Sequence, residues 1–235
     1  RWFVRAFRDD GTALGVARNQ QGRIFLESNA WAIISGAATP EQAATTMAAI
    51  HEELFTPHGL MLCSPGFTQL DPTAAANILG NPGTKENAGV FCHTQGWAIM
   101  AETLLGHGDR AYEYFRAYMP AAYNTRAEVR EIEPYVQCQS THSRLSRKEG
   151  VGRLPWLTGA AAWSYHAATH CLLGIQPDYD GLRISPCLPS DWPEIKVTRV
   201  FHGKRFKIEI RRCGQGNEVA LTLNGKPVAG NILPI

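Results

Sequence analysis

The spacing of the apolar residues changes once along this chain, from a helical period to a strand period. Over residues 27–38 and 40–55, apolar positions recur three and four residues apart, which is typical of amphipathic helices. Thr39 stands immediately before Pro40, with Gln42 close behind, so Thr39 is predicted to cap the second helix at its N-terminus. The short connection between the two segments favours an antiparallel helix pair.

A second helix pair is predicted over residues 89–106 and 109–118. The turn Gly-His-Gly-Asp separates these helices, and Asp109 is placed to cap the second one. The last helical segment, residues 158–174, carries small and aromatic side chains nearly all round, which indicates burial on most of its sides. The chain up to residue 174 is therefore predicted to be mainly helical.

Two long irregular stretches interrupt these helices. Residues 56–88 are rich in Pro, Gly, Thr and Asn, and residues 119–157 show little helical periodicity. A loop as long as 56–88 within a compact domain usually carries function or covers a site. We therefore expect functional residues in or beside these stretches.

After Gly174 the sequence alternates between apolar and polar residues and becomes rich in Val, Ile and Phe. Glycine-containing turns separate the alternating segments, a pattern typical of antiparallel strands. We place a domain boundary near residues 176–181, with a helical domain over 1–177 and an incomplete β-domain over 178–235. The predicted fold is mainly α followed by β, a helical toroid capped by a sheet domain.

The composition is that of an ordinary globular protein, with 44% apolar and 19% charged residues in a chain of 235. A formal net charge of +2 argues against a nucleic-acid or membrane partner held by bulk electrostatics, so small-molecule partners are expected. No apolar run approaches the ~20 residues that cross a bilayer, and no signal peptide is visible, so we expect a cytoplasmic location. The first residue is arginine rather than methionine, which suggests a segment of a longer protein.

The sequence lacks the motifs of several common metal, nucleotide and hydrolase sites, which argues against those sites. The six cysteines are widely separated and contain no Cys-x-x-Cys pair, so we expect buried free thiols and no metal site. The segment His-Glu-Glu-Leu-Phe has Phe55 where a zinc protease needs its second histidine. Phosphate-binding loops, dinucleotide-binding glycine motifs and serine-hydrolase elbows are also absent from the sequence.

The segment GTKENAGVFCHTQGWA, residues 83–98, places Lys85, Glu86 and His93 close together near the start of an apolar helix. A lysine and a glutamate can bind sugar hydroxyls through charge-assisted hydrogen bonds, with an aromatic ring on the sugar face. Structural explanations remain open. A first-turn glutamate suits the helix dipole, and a histidine beside Phe91 and Trp97 fits a core position.

Thr158 and Gly159 stand where a loop becomes the last predicted helix. A threonine hydroxyl, a glycine amide and the free amides of a first helical turn can together bind an anion, because the helix dipole also favours negative charge there. The alternative is that Thr158 is only an N-cap and Gly159 only a packing residue, and the two residues by themselves do not decide between these interpretations.

Four longer blocks of the sequence extend these motifs. They are GTKENAGVFCHTQGWAIMAETLLGHGDRAYEYFRAYMPAAYN, EVREIEPYVQCQSTHS, RLPWLTGAAAWSYHAATHCLLGIQPDYDGLRISPCLPSDW and VTRVFHGKRFKIEI. In this order they closely resemble the inverting glycoside phosphorylases of glycoside hydrolase family 94, above all the cellobiose phosphorylase branch. The resemblance runs from about residue 20 to the end of the chain. It implies the C-terminal part of an (α/α)6 barrel followed by a C-terminal antiparallel β-sandwich portion.

The resemblance also implies roles for individual residues. In this family a histidine and a Thr-Gly pair bind the attacking phosphate together with an upstream arginine, and His93, Thr158 and Gly159 match the first three. Substrate contacts near the scissile bond match Lys85 and Glu86, and Gln139 matches a glutamine that lines the donor-sugar and phosphate site. The family's general-acid aspartate and its arginine lie upstream, so no catalytic residue is assigned in this chain, which alone is expected to be inactive.

The implied reaction is reversible phosphorolysis of a β-linked glucosyl disaccharide, with cellobiose as the expected substrate. The products are α-D-glucose 1-phosphate and the acceptor sugar, formed with inversion because phosphate enters opposite the leaving group. Inorganic phosphate is a co-substrate, and no cofactor is expected. Family members are commonly homodimers, so a homodimer is an expectation for the full-length protein.

Two alternatives remain open at this point. The acceptor could differ, which would make the substrate chitobiose, cellobionic acid or laminaribiose, and the segment 64–87 is where such acceptors would be distinguished. The other alternative is a non-catalytic carbohydrate-binding module of a glucan synthase. The presence of His93 with Thr158 and Gly159 argues for a phosphorylase over a binding module.

Overall fold

A computed structural model describes residues 1–69 and 80–234, so part of the predicted loop 56–88 and of the acceptor segment 64–87 lies outside the described residues. A 3-10 helix, Pro120–Arg126, and a π-helical stretch, Ala167–Leu172, accompany the α-helices. The α-helices in the described ranges are α1 (Leu26–Ile34), α2 (Pro40–Leu54), α3 (Cys92–Leu104), α4 (Gly108–Tyr118), α5 (Ala127–Arg130) and α6 (Thr158–His166).

The strands are short, and every pairing among the described residues is antiparallel. The first nine strands lie among the helices: β1 (Ala6–Phe7), β2 (Ala13–Leu14), β3 (Ile24–Phe25), β4 (Phe55–Thr56), β5 (Gly59–Leu60), β6 (Cys63–Ser64), β7 (Val90–Phe91), β8 (Cys138–Thr141) and β9 (Gly152–Pro155). The others follow the last helix: β10 (Ile175–Asp178), β11 (Gly181–Ile184), β12 (Glu194–Phe201), β13 (Lys204–Arg211), β14 (Leu221–Leu223), β15 (Lys226–Val228) and β16 (Ile232–Pro234).

The start of α2 is as predicted. The backbone amide of Gln42 donates to the Thr39 hydroxyl at 3.3 Å, and the Gln42 side-chain oxygen accepts from the Thr39 amide at 2.9 Å. These two reciprocal bonds satisfy donors that a helix start leaves unpaired. The N-cap prediction for Thr39 is confirmed, and α1 packs against α2 as a pair.

The predicted cap at Asp109 is wrong. Helix α4 begins at Gly108 with His107 as its N-cap residue, so Asp109 already lies in the first turn. Its carboxylate instead accepts a hydrogen bond from the backbone amide of Ser190 at 2.6 Å. The preceding turn is closed by His107, whose Nδ1 lies 2.7 Å from a carboxylate oxygen of the fully buried Glu102.

The main hydrophobic core lies between the helices, with residues such as Met47, Ile99 and Tyr114 at most 1% exposed. Helix α6 reaches this core through Ala160 on one face, whereas Ala161 and Ala162 are exposed. The expectation that this helix is buried on most sides is therefore wrong for this chain. Its contacts run mainly to α3, which covers one face of a helix that is small-sided all round.

A second core, formed by Ile175, Leu182, Ile184 and Leu233, lies in the sheet β10–β11–β16. Strands β12 and β13 form a long hairpin in which exposed and half-buried residues alternate along β12, as the sequence pattern predicted. A fold that contains both helices and antiparallel strands is confirmed, but the first nine strands precede α6, so the order of α followed by β holds only in part. The closed (α/α)6 barrel, the β-sandwich and the division into 1–177 and 178–235 stay predictions.

Two further expectations concern cysteines and membranes. The cysteines are free, as expected. All are buried except Cys213, which is exposed and lies two residues after the end of β13. No helix within the described ranges is long and apolar enough to span a bilayer.

Candidate active site

The small sheet β7–β8–β9 brings the starts of α3 and α6 together. Strand β8 is antiparallel to both of its neighbours, so β7 and β9 run in the same direction and end at the same edge of the sheet. Helix α3 begins directly after β7, and α6 begins at Thr158, with two residues between it and the last residue of β9. The first residues of β8, Cys138 and Gln139, lie at that same edge, because Cys138 pairs with Pro155.

Helices α3 and α6 also pack closely on each other. A Cβ atom at Gly96 would lie 3.1 Å from the Cβ atom of Trp163, so a larger residue at position 96 would push the helices apart. The rings of Trp97 and Trp163 meet edge to face with their centroids 5.9 Å apart. The two helix starts are thus held at fixed positions on either side of Gln139.

His93 is the second residue of α3 and is half-buried. Its ring meets Phe91 and Trp97 edge to face, with a centroid distance of 5.0 Å in each case. Neither ring nitrogen has a hydrogen-bond partner in the part of the chain that the structure describes. Burial lowers the pKa of His93, so the neutral imidazole keeps one N–H donor available at neutral pH.

The start of α6 differs from the simple N-cap interpretation. The N-cap residue is Leu157, whose carbonyl accepts from the Ala161 amide at 3.1 Å, and no side chain caps this helix. Thr158 is therefore in the first turn and exposed, so its hydroxyl does not serve as the N-cap. The N-cap interpretation of Thr158 is wrong, and the first amides of α6 keep the unpaired donors typical of a helix start.

No packing contact among the described residues requires glycine at position 159. A Cβ atom at this position would meet none of their heavy atoms within 4 Å, and the backbone has no positive φ that would call for glycine. The interpretation of Gly159 as a packing residue is therefore wrong for the described residues. Open space above two helical amides, beside an exposed threonine hydroxyl, is the arrangement that an oxyanion needs.

Gln139 is half-buried on β8, and its side-chain Oε1 is buried without a hydrogen-bond partner among the described residues. A buried amide oxygen without a partner is costly, so its occurrence calls for an explanation. A ligand that donates a hydrogen bond at this edge of the sheet provides one.

Lys85 and Glu86 lie at the other end of β7, a two-residue strand that spans about 7 Å. They belong to a turn closed by the bridge between Thr84 and Asn87, and Lys85 has a left-handed backbone with φ of 46°. Because α3 begins only at Cys92, Glu86 is not a first-turn residue and the helix dipole does not explain it. The structure thus places His93, Gln139, Thr158 and Gly159 at one edge of the sheet, and Lys85 and Glu86 before the opposite end of β7.

Strained backbone surrounds this sheet. Positive φ is uncommon for residues other than glycine and often marks functional sites. Elsewhere in the described ranges such residues are His202 and Asn224, both in hairpin turns. Around the β7–β8–β9 sheet they are Lys85, Ala88, Glu131, Tyr135, Leu154 and Trp156.

A buried polar cluster supports β8 from the face opposite Gln139. The sulfur of Cys138 lies 3.6 Å from that of Cys92, and Arg130 donates a hydrogen bond to the Cys138 sulfur at 3.2 Å. The hydrogen bond from Cys92 and the positive charge of Arg130 lower the pKa of Cys138 to about 6. Arg130 itself is only 4% exposed, so this contact places a buried guanidinium directly behind β8.

Comparison with known proteins assigns the two parts of the chain to known families. Residues 1–174 match the glycosyl hydrolase 94 superfamily, catalytic domain. The chain belongs to this superfamily. Residues 175–229 match the glycosyl hydrolase family 65, C-terminal domain. The family resemblance found in the sequence is confirmed, whereas the roles assigned to individual residues stay predictions.

Similar proteins include several phosphorylases. An N,N'-diacetylchitobiose phosphorylase of Vibrio proteolyticus is 38% identical over 99% of this chain, and a solabiose phosphorylase of Paenibacillus borealis is 31% identical over 100% of it. The chain spans 29% and 31% of their respective lengths. A cyclic beta-(1,2)-glucan synthase of Rhizobium meliloti is 30% identical over 95% of this chain, which spans 8% of that protein.

Two side chains near this site were not found by sequence reasoning. Asn87 is fully buried beside Lys85 and Glu86, and Ser164 is buried beneath the first turn of α6. Both have hydrogen-bond partners far away in the sequence, so no local pattern reveals them. Within the described ranges, no group of three His, Cys, Asp or Glu side chains is arranged to hold a metal ion.

Proposed function

We propose that the full-length protein is an inverting phosphorylase of a β-linked disaccharide, with inorganic phosphate as co-substrate and no further cofactor. The observation that carries this proposal is the meeting of two helix starts, with His93 on one and Thr158 and Gly159 on the other, at one edge of the β7–β8–β9 sheet. The phosphorylase names of the similar proteins support the same reaction class.

The proposed phosphate site uses donors rather than fixed charge. The first amides of α6 and the Thr158 hydroxyl donate hydrogen bonds to the phosphate, and the helix dipole favours its negative charge. The neutral ring of His93 donates one more hydrogen bond from α3. Because phosphate is already anionic at neutral pH, no carboxylate base is needed, and the protein contributes mainly orientation and charge stabilisation.

The sugar contacts are proposed for the other three residues. Gln139 offers an unpaired buried oxygen beside the phosphate site, where a hydroxyl of the donor sugar would satisfy it. Lys85 and Glu86 would contact the acceptor sugar from their turn before β7. The general acid that protonates the leaving oxygen is expected upstream of residue 1, on the face opposite the entering phosphate.

N,N'-Diacetylchitobiose is the first substrate to test, because a relative with 38% identity carries that name. Cellobiose, expected from the sequence resemblance, stays a prediction beside it. Cellobionic acid and laminaribiose complete the set of disaccharide substrates that the sequence left open.

The test incubates the full-length protein with each disaccharide, with and without inorganic phosphate, and identifies the sugar 1-phosphate and its anomer by NMR. We expect phosphate-dependent formation of an α-linked sugar 1-phosphate from one of these disaccharides. Release of free sugar without phosphate would overturn the proposal in favour of a hydrolase. Binding of sugars without any turnover would favour the carbohydrate-binding module.

A further inference from the structure

The hydroxyl of Ser164 joins three separate elements of the helical domain. It accepts hydrogen bonds from the Tyr118 hydroxyl and from the Gln137 side-chain amide, both at 2.9 Å. It donates to the backbone carbonyl of Ala160 at 2.8 Å. Tyr118 is the last residue of α4, Gln137 immediately precedes β8, and Ala160 lies in the first turn of α6.

This junction is buried, and the Ser164 hydroxyl at its centre is fully satisfied, whereas the Oε1 of Gln137 has no partner among the described residues. Ser164 is 5% exposed, Gln137 is 8% exposed and Tyr118 is inaccessible to solvent. A serine hydroxyl has one proton to donate and two lone pairs to accept, and all three are used here. A helical serine often bonds back to the carbonyl four residues earlier, but that bond alone links nothing outside the helix. The two donors from α4 and from the approach to β8 distinguish this serine.

The same junction surrounds the Thr158–Gly159 pair. The backbone carbonyl of Gln137 accepts from the amide of Leu157 at 3.2 Å, on the N-terminal side of the pair. The side chain of Gln137 reaches Ala160, on the C-terminal side, through Ser164. Gln137 therefore fixes the exposed pair from both sides.

Resting on the proposed function, we propose that Ser164 is a positioning residue that sets the first turn of α6 for phosphate binding, with Tyr118 and Gln137 as its partners. Gln137 lies two residues before Gln139. The junction therefore connects the start of α6 to the edge of β8 that carries the Gln139 side chain. Ser164 itself faces the core and does not touch the anion.

The test is Ser164→Ala in the full-length protein, with separate KM values for phosphate and for the disaccharide. Loss of the hydroxyl leaves two buried donors unpaired and frees the first turn of α6. We expect the KM for phosphate to rise roughly 10-fold, below the ~100-fold cost of a 1 Å misplacement, and the KM for the disaccharide to change less than about twofold.

Two further variants separate positioning from simple loss of stability. Tyr118→Phe removes one donor without leaving a buried group unpaired, so it should fold and raise the KM for phosphate in the same direction by a smaller factor. Thr169→Val removes another helical hydroxyl, which donates to the Tyr165 carbonyl four residues earlier at 2.8 Å but joins no other element among the described residues. This control should leave the KM for phosphate unchanged.

Equal changes in both KM values, or an unchanged KM for phosphate in Ser164→Ala and Tyr118→Phe, would overturn the proposal. Stabilisation of the wild-type protein against heat by inorganic phosphate provides a readout that needs no turnover. If the wild type neither turns over a disaccharide nor gains stability from phosphate, the proposed function and this inference both fail. If it does both and the variants behave like the wild type, only the role of Ser164 fails.

Discussion

The side chain of Asn87 is paired with the backbone of Phe67 through two hydrogen bonds. The Asn87 Oδ1 accepts from the Phe67 amide at 2.7 Å, and its Nδ2 donates to the Phe67 carbonyl at 2.8 Å. The same Nδ2 donates to the carbonyl of Gly80 at 2.7 Å. Because Asn87 is fully buried, one side chain joins the turn that carries Lys85 and Glu86 to the chain on both sides of residues 70–79.

Asn87→Ala should therefore destabilise the protein. The change removes the partners of a buried amide and a buried carbonyl at Phe67, and each unpaired buried group costs about 1–3 kcal/mol. We expect the free energy of unfolding in urea to fall by about 2–4 kcal/mol. Asn81→Ala is the matched control, since Asn81 is exposed and its backbone carbonyl, rather than its side chain, accepts from Thr84.

The control should lie within about 0.5 kcal/mol of the wild type, as surface changes usually do. An Asn87→Ala variant that is equally close to the wild type would contradict the structural role assigned to this side chain. Asn87→Asp should be destabilised as well, because a carboxylate keeps the acceptor and loses both donated bonds.

Gly159→Ala should raise stability and weaken phosphate use at the same time. Alanine is favoured over glycine in a helix by up to about 1 kcal/mol, and no atom lies within 4 Å of the new Cβ position. The added methyl group would occupy the open space assigned to the phosphate. Thermal unfolding and the KM for phosphate measure the two effects separately in the full-length protein.

The same substitution in α3 provides the control for Gly159→Ala. Gly96→Ala would place a methyl group 3.1 Å from the Cβ and from the backbone carbonyl oxygen of Trp163, so it should destabilise by about 1–3 kcal/mol. A loss of stability in Gly159→Ala as well would return Gly159 to the role of a packing residue.

The sequence predicts local features of this fold well. The Thr39 cap was correct because its partner, Gln42, lies three residues away and the whole pattern is visible in one short window. The Asp109 cap was wrong because its actual partner, Ser190, lies 81 residues further along the chain. An Asp carboxylate can accept a hydrogen bond either from a backbone amide of its own helix start or from another amide. In the folded chain a distant amide can take the place of the local one.

The same distinction applies to the candidate site. Thr158 and Gly159 could be selected because a helix start is visible in the sequence and has known anion-binding chemistry. Ser164 and Asn87 could not, since their importance rests on Tyr118 and Phe67, which are remote in sequence. The convergence of His93 and Thr158 at one sheet edge needed the β7–β8–β9 pairing, which two-residue and four-residue strands do not announce in their sequence.

His93→Gln should remove a pH dependence from anion binding. Burial alone lowers the pKa of His93 in the free protein, and a bound anion would raise that pKa because it stabilises the charged ring. Binding then takes up a proton, so affinity strengthens as the pH falls. Sulfate is a suitable probe since it keeps its charge over this range, and its Ki against phosphate should fall between about pH 8 and about pH 6 in the wild type.

In His93→Gln the Ki for sulfate should be higher and nearly independent of pH, because glutamine keeps a donor and does not titrate. His202→Asn serves as the control, as His202 is exposed in the β12–β13 turn and far from α3 in the sequence. A flat Ki profile in the wild type would remove His93 from the phosphate site.

Acid should destabilise the protein through His58. Its Nδ1 lies 3.0 Å from the Tyr123 hydroxyl, which in turn lies 2.8 Å from the carbonyls of Pro57 and Ala117. The Tyr123 hydroxyl donates its single proton in a hydrogen bond to one of these carbonyls. Its oxygen is therefore the acceptor toward His58, which places a proton on the His58 Nδ1. Burial lowers the pKa of His58 from its ordinary value of 6.5, with Glu149 opposing this effect and Arg130 adding to it.

A lowered histidine pKa means that the folded state favours the neutral ring. The stability that this contributes is fully present above pH 6.5, the ordinary value, and is lost as the pH falls through the lowered pKa of the folded state. The free energy of unfolding in urea should therefore decline between about pH 7 and about pH 5. The decline should be smaller in His58→Gln and unchanged in His202→Asn. An equally steep decline in His58→Gln would assign the acid sensitivity to the other histidines whose pKa is lowered by burial, which include His93 and His142.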